Sequence, residues 1–193
     1  MSFLKQDFST IYDEYYPKIV RYLTRLIGEL EAEDAAQETF VKIERSLDNF
    51  RGESSLSTWI YRIATNTAMD HFRRPSSKQS AQPTEEKDVP GYEDTGLIDN
   101  TPLPDTLLIR KDMNDCIRGI VDSLPGDYSS VLVLREFEGL TNSEIAEIVG
   151  TSLDTVKIRL HRARTKLRKA LEAKCNFYRD ERNELSCDRK IPL

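Results

Sequence analysis

Apolar residues recur three and four positions apart along most of this chain, the spacing that places them on one face of a helix. Phe8, Ile11, Tyr12, Tyr15, Ile19, Tyr22, Leu23 and Leu26 form a first stripe, and Ala35, Ala36, Thr39, Phe40, Ile43, Leu47 and Phe50 a second. Trp59, Ile60, Ile63, Ala64 and Phe72 mark a third. The run Arg51-Gly52-Glu53-Ser54-Ser55 interrupts the pattern and reads as a loop, Gly followed by small polar residues. Residues 1–74 are therefore predicted to form a helical bundle with an exposed loop before its last helix. From Pro75 the pattern disappears into Pro, Ser, Thr and acids, which cannot bury enough apolar surface to offset the entropy of ordering. Residues 75–106 read as a flexible acidic linker. Helical spacing resumes at Leu107 with Ile109, Met113, Ile117, Ile120 and Val121, and Leu124-Pro125 ends it. Val131, Leu132, Leu134 and Phe137 mark another helix, although the VLVL run at 131–134 also fits a short buried strand. The predicted class is all-α, with two small helical domains, 1–74 and 107–173. The charged tail, 174–193, is expected to continue the last helix and then fray.

Residues 141–171 carry the most specific pattern. Thr141-x-x-Glu144 has the form of a capping box, which satisfies backbone N–H groups at a helix start. Ile145, Ile148 and Val149 follow at helical spacing, and Gly150 tolerates the positive φ needed where a short helix stops. Thr151 or Ser152 then caps a longer helix in which Leu153, Val156, Leu160, Ala163, Leu167 and Leu171 share a face. Thr155, Arg159 and Arg162 lie opposite, with Lys157 and His161 on a flank. A short helix, a tight turn and a longer helix with outward cations make a helix-turn-helix, whose second helix enters the DNA major groove. The plainer alternative is a helical hairpin with a solvated basic face.

The formal net charge of −5 argues against nucleic acid only until its distribution is read. Residues 151–174 hold eight Lys or Arg against two acids, and residues 75–106 hold seven acids against two Lys. Local fields govern contact with phosphates. No apolar run approaches the ~18–20 residues needed to span a bilayer, so stable membrane insertion is not expected and the location is expected to be cytoplasmic. Cys116, Cys175 and Cys187 are too few for a disulfide framework and are thiols by default in a reducing compartment.

Catalytic signatures are missing from the sequence: there is no Gly-rich phosphate loop, nucleophile elbow or HExxH pair. No cofactor, metal site or enzyme activity is expected. His161 reads as meeting DNA or solvent, and His71, beside Phe72-Arg73-Arg74, as a surface residue. Cys175 and Cys187 read as bystander thiols or, more sharply, as a redox- or metal-responsive tail. The segment Ser57–Arg74 mixes aromatics, an amide and cations, a combination that stacks unpaired bases while neutralising phosphate. Within it Trp59 also reads as a core anchor, the reading that spacing alone slightly favours. Glu31, Glu33, Asp34, Gln37 and Glu38 form an acidic shoulder, either a solvated helix start matched to the macrodipole or a surface for a basic partner.

Taken together, DAAQETF, STWIYRIATNTAMDHFRR, the acidic linker and LTNSEIAEIVGTSLDTVKIRLHRAR resemble the extracytoplasmic-function (ECF) sigma factors of the sigma-70 family, over about residues 6–74 and 107–171. The resemblance implies that residues 1–74 are sigma region 2 and residues 107–173 region 4. It implies a dissociable initiation subunit of RNA polymerase that contacts the β′ clamp and the β flap, binds promoter DNA and is controlled by an anti-sigma factor. Asp34, Gln37, Glu38 and Phe40 match the helix that docks on the clamp. The loop 51–57 matches the one that receives a flipped base of the −10 element. Trp59, Asn66, Asp70, Arg73 and Arg74 match the helix that melts and reads that element. Lys157, Ile158, Arg159, His161 and Arg162, beside Thr155, match the helix that reads the −35 element. The linker resembles the segment that runs near the RNA exit path, where its acidity mimics nucleic acid. Two positions depart from the family: Asp154, where Gly is frequent, and Ile158, where Ser is. Asp154 repels phosphate, and Ile158 offers apolar contact, as to a thymine methyl. A DNA-binding repressor or activator would need a ligand or phospho-acceptor domain in place of the bundle. A signalling adaptor would bind neither promoter nor polymerase.

Overall fold

The first stripe closes around Ile11, Ile19, Tyr22, Leu23 and Leu26, all buried on helix α1, Phe8–Ile27. This comes from a computed structural model that describes residues 7–73, 116–179, 183 and 185–190. Helix α1 continues through Pro17, so packing of its apolar face outweighs a local cost of about 3 kcal/mol for proline inside a helix. It ends at Gly28, whose φ of 87° suits a residue without Cβ. Helix α2, Glu29–Ser46, begins at once and carries Glu29 and Glu31 in its first turn. A 3₁₀ turn, Leu47–Asn49, and an irregular stretch at 50–55 lead to helix α3, Leu56–Arg73. The Ser55 hydroxyl accepts from the Thr58 N–H at 3.0 Å and caps α3. Inside this bundle the Tyr22 and Thr65 hydroxyls share a buried hydrogen bond of 2.8 Å. Burial pushes the Tyr22 phenol up, against the opposing effect of that bond.

The second half holds α4 (described from 116 to 122), α5 (Gly126–Glu136), α6 (Asn142–Val149) and α7 (Leu153–Lys174). The VLVL run is helical, and Val131, Leu132, Val133 and Leu134 are all buried in α5. The capping box at Thr141 is complete: its hydroxyl accepts from the Glu144 N–H at 3.3 Å, and Glu144 accepts from the Thr141 N–H at 2.8 Å. The Thr141 hydroxyl also donates to the Glu144 carboxylate at 2.6 Å, and that bond first, then the one from the Thr141 N–H, hold the carboxyl below its usual range. Gly150 is left-handed at φ 65°, and Ser152 caps α7 by accepting from the Thr155 N–H.

The tail departs from expectation. Helix α7 stops at Lys174, and the chain turns into β1, Cys175–Arg179, which pairs antiparallel with β2, Leu185–Arg189. Asn176, Phe177 and Tyr178 sit in β1, two of them aromatics that favour strands. Asn183, at φ 62°, supplies a residue type that tolerates the left-handed region. The described fold is therefore all-α with a two-stranded ribbon appended. The linker 75–106, Arg74, and Leu107, Ile109 and Met113 lie outside the described residues.

Buried residues of both halves belong to one continuous core. The link between α5 and α6 inserts Glu138, whose side chain is only 4% exposed, between Arg25 of α1 at 3.2 Å and the Tyr61 hydroxyl of α3 at 2.6 Å. Burial, reinforced by Glu138, pushes the Tyr61 phenol up. Burial also lowers the Arg25 guanidinium, while Glu138 pulls it back. Arg62 donates to the Glu147 carbonyl at 2.8 Å, and Arg118 meets Glu29 at 3.1 Å.

Candidate nucleic-acid interface

Helix α7 is a rod anchored along one side. Val156, Leu160 and Ala163 are buried, Leu167 and Leu171 half-buried, and Leu153 exposed at the N-terminal end. Anchoring that stripe turns Lys157, Ile158, His161 and Arg162 outward, with Thr155 and Arg159 half-buried beside them. Ile158 is 51% exposed, a branched apolar side chain at the centre of a polar face. The cations differ in their present engagement. Lys157 meets Asp154 at 3.3 Å, and Arg159 meets Asp127 of α5 at 2.9 Å. Thr155 shares a hydrogen bond of 2.8 Å with Ser152. Arg162 makes no ion pair among the described residues. Exposed ion pairs are worth only about 0–1 kcal/mol, so exchanging Asp127 or Asp154 for a DNA phosphate costs little.

Helix α3 is embedded on most sides, yet Arg62, Asn66, Asp70 and Arg73 recur on its one exposed face. Arg73 meets Asp70 at 3.5 Å. Trp59 begins the same face next to the irregular stretch at 50–55. It is half-buried, and its ring packs on Phe50 at 5.0 Å, so it anchors that stretch to the helix. The core reading of Trp59 thus holds in part, since the residue is half-buried.

The acidic shoulder on α2 divides. Asp34 and Gln37 are exposed. Glu38 is half-buried and bonded to Lys42 at 2.9 Å. Phe40 is only 2% exposed, its ring set edge-on to Tyr12 at 5.0 Å, so it is a core residue rather than a surface contact. His71 is likewise not at the surface: it is buried, with Glu31 at 3.1 Å from Nδ1 and Glu38 at 3.6 Å from Nε2. Two residues that reading by stripe missed are Leu30, 89% exposed, and Val41, 45% exposed. They share a face with Asp34 and Gln37, four, three and four positions apart. The signal was available, because both are apolar residues out of phase with the buried set Ala32, Ala35, Ala36, Thr39, Phe40 and Ile43.

Spacing alone did not show that the C-terminal end of α3 and the outer face of α7 border the same cleft, which the exposed face of α3 reaches through Arg73. Met69, Phe72 and Arg73 of α3 line one wall, Thr155, Ile158, Arg159 and Arg162 of α7 the other, and Pro125, Gly126, Asp127 and Tyr128 the floor, around ≈ 630 Å³. Among the described residues no helix is long and apolar enough to cross a membrane, and no group of three or more His, Cys, Asp or Glu is arranged to hold a metal ion.

A helical protein with a helix-turn-helix and a second exposed polar helix face belongs with the nucleic-acid-binding class. Comparison with known proteins narrows that class. The family model for Sigma-70 region 2 matches residues 11–78, and that for Sigma-70, region 4 matches residues 114–167. The chain is 35% identical over 174 residues to the RNA polymerase sigma-H factor of Pseudomonas aeruginosa, covering 87% of this chain and 88% of that one. It is 40% identical over 161 residues to the RNA polymerase sigma factor YlaC of Bacillus subtilis, covering 82% and 88%. It is 31% identical over 160 residues to the ECF RNA polymerase sigma-E factor of Haemophilus influenzae, covering 83% and 85%. Among solved structures, sigma factor RpoE in complex with the anti-sigma factor NepR from Bartonella quintana shares the fold. The TM-score is 0.62 at 22% identity, covering 86% of this chain and 97% of that one. CnrH in complex with the cytosolic domain of CnrY matches at a TM-score of 0.59 and 22% identity, covering 86% and 88%. The chain belongs to the sigma-70 family, among its ECF members. Its function is that of a promoter-specific sigma factor in transcription.

Proposed function

We propose that α7 reads the −35 element as duplex, that α3 and the stretch before it capture bases of the −10 element, and that α2 docks the chain on core RNA polymerase. The observation that carries this is the division of α7, whose buried stripe fixes Lys157, Ile158, His161 and Arg162 on the opposite, solvent-facing side. A B-DNA major groove about 12 Å wide admits such a helix. Arg162 suits a bidentate contact to guanine and Ile158 a thymine methyl. Thr155, Lys157, Arg159 and His161 reach phosphates or base edges around them.

Asn66, Asp70 and Arg73 form a polar face on α3 for the unpaired −10 strand, with Trp59 supporting the stretch that receives an extruded base. Arg74 extends that set in the sequence. Extrusion costs a few kcal/mol, which contacts of this kind offset. The exposed row Leu30, Asp34, Gln37 and Val41, with Glu38 beside it, supports α2 as the surface for the β′ clamp. Phe40 acts from the core by fixing the helix. The second module meets the β flap, residues 1–74 and 107–173 act as separable units, and the acidic linker 75–106 runs between them near the RNA exit path.

The chain supplies no catalytic group of its own; the polymerase performs the chemistry, in the cytoplasm. Two readers joined by a tether hold separated promoter elements more tightly than either alone. Arg73 of α3 and the outer face of α7 border one cleft here, so engagement of separated elements would part the modules at Glu138. An anti-sigma factor that favours the closed arrangement would hold the protein inactive, consistent with a fold shared by partners of NepR and CnrY.

Run-off transcription with purified core enzyme tests the reading. Promoter-specific transcripts are expected. Duplex binding without initiation would point to a repressor or activator, and neither activity to an adaptor.

A further inference from the structure

The cysteines are arranged in a way their spacing hides. The neighbour of Cys175 is not Cys187 on the facing strand but Cys116, 59 residues earlier, with the two sulfur atoms 3.5 Å apart. Cys175 is where α7 becomes β1. Its N–H still bonds to the Leu171 carbonyl while its own backbone is already extended, at φ −132° and ψ 147°. That change of direction sends its side chain inward: Cys175 is 2% exposed, and the other four residues of β1 are exposed. Cys116, in the first described turn of α4, is half-buried. One residue of the pair keeps partial exposure and the other is buried beside it.

We propose that Cys116 and Cys175 are a redox-sensitive pair that closes to an intramolecular disulfide under peroxide. The Cys116 thiolate attacks hydrogen peroxide; the S–O bond forms, the O–O bond breaks, and hydroxide leaves as water after taking a proton. The product is a sulfenic acid on Cys116. The Cys175 thiolate then attacks the Cys116 sulfur; the S–S bond forms, the S–O bond breaks, and a second hydroxide departs as water. Two thiols and one peroxide give one disulfide and two waters, the two electrons passing from sulfur to oxygen. A dithiol reductant reverses the change by exchange.

Geometry selects this pairing. A disulfide holds its sulfurs about 2.05 Å apart, so from van der Waals contact they need approach by only roughly 1.5 Å. Cys175 and Cys187 are out of register: Cys175 faces Arg189, and Cys187 faces Phe177. They are diagonal neighbours, with Cα atoms roughly 7–8 Å apart, beyond the usual disulfide span.

The bond would staple the start of described α4 to the end of α7, closing a covalent ring that contains α5, α6 and the helix-turn-helix. The ring limits fraying of α7 and anchors the ribbon that follows it. Such a pair is reduced by default in a reducing compartment and records an oxidising episode. It does not depend on the promoter reading, because cross-link formation is measured without DNA or polymerase.

The test uses the full chain, treated with hydrogen peroxide, alkylated and digested without reductant. The expected result is a Cys116–Cys175 linked peptide, lighter than its two free peptides by two hydrogens and released by dithiothreitol, with Cys187 alkylated. Its thermal midpoint should rise on oxidation by about 5–10 °C, as a native-like staple does. Cys187→Ser should keep both effects and Cys116→Ser should lose both. A linkage that includes Cys187, oxidation that stops at sulfinic acid, or a linked peptide with an unchanged midpoint would each overturn the proposal.

Discussion

The two helices proposed to face nucleic acid are embedded to different depths. Helix α3 buries eight of its eighteen residues, including Ile60, Ala64 and Ala68, and packs in a bundle with α1 and α2. Helix α7 buries three of twenty-two. The difference matches two physical tasks. Holding a base pulled from the stack requires a platform that does not yield, and a helix buried along most of its length provides one. Entering a major groove requires a helix that stands clear of its own protein. The same asymmetry separates stability from recognition. On α3 nearly every apolar residue is structural, whereas on α7 an exposed apolar residue, Ile158, is available for contact.

That contrast is open to attack by mutation. The largest effect is expected from Ile60→Ala, which opens a cavity under α3 and should cost about 2–5 kcal/mol of stability. The matching truncation on the outer face of α7, Ile158→Ala, should leave denaturation within about 0.5 kcal/mol of the parent. Urea unfolding of the two variants compares them directly, and equal losses would erase the distinction. Next is the contact between the halves. Glu138→Gln removes the buried charge that Arg25 and Tyr61 both engage, with an expected loss of about 1.5–3 kcal/mol. Hydrogen exchange should show faster exchange where α6 lies on α3, and unchanged protection there would mean that Glu138 does not hold the halves together.

Smaller in the same series, Arg162→Ala should weaken promoter binding by about 1–3 kcal/mol if it reads a base. Arg159→Ala should weaken it less, because Arg159 must first leave Asp127. Titration at several salt concentrations measures both, and the reverse ranking would move the base-reading residue up the helix. The smallest effect concerns acid. The folded-state carboxyl of Glu144 is lowered by its bonds from Thr141, so its contribution is fully present above its ordinary range and is lost as pH falls through the lowered value. Thr141→Ala should lose about 0.5–2 kcal/mol near neutrality. The deficit should shrink as the solution is acidified; a constant deficit across acid unfolding curves would rule out Glu144 as its source.

Much of this was legible because it is local. The stripes on α1, α2 and α3, the capping box, Gly150 at φ 65° and the Ser152 cap all depend on residues within a few positions of one another. The same reasoning failed where partners came from afar. His71 reads as a surface residue beside two arginines, yet α2 folds over it and supplies Glu31 and Glu38. Phe40 lies in a motif that resembles a docking helix, but its ring is taken up by Tyr12 and Tyr16. The tail reads as a fraying helix because its charge hides the strand preference of Asn176–Tyr178 and the pairing partner at 185–189.

By itself the sequence determined the helices, their caps, the charge asymmetry and the family, since each follows from short-range spacing and backbone hydrogen bonding. Only the tertiary structure decided which faces those helices share. It set Glu138 between Arg25 and Tyr61, brought Arg73 of α3 and the outer face of α7 to one cleft, left Leu30 and Val41 in solvent, and put Cys116 against Cys175. The reason is physical: a stripe says that a face must be buried, but the partner that buries it is chosen by the packing of the whole core.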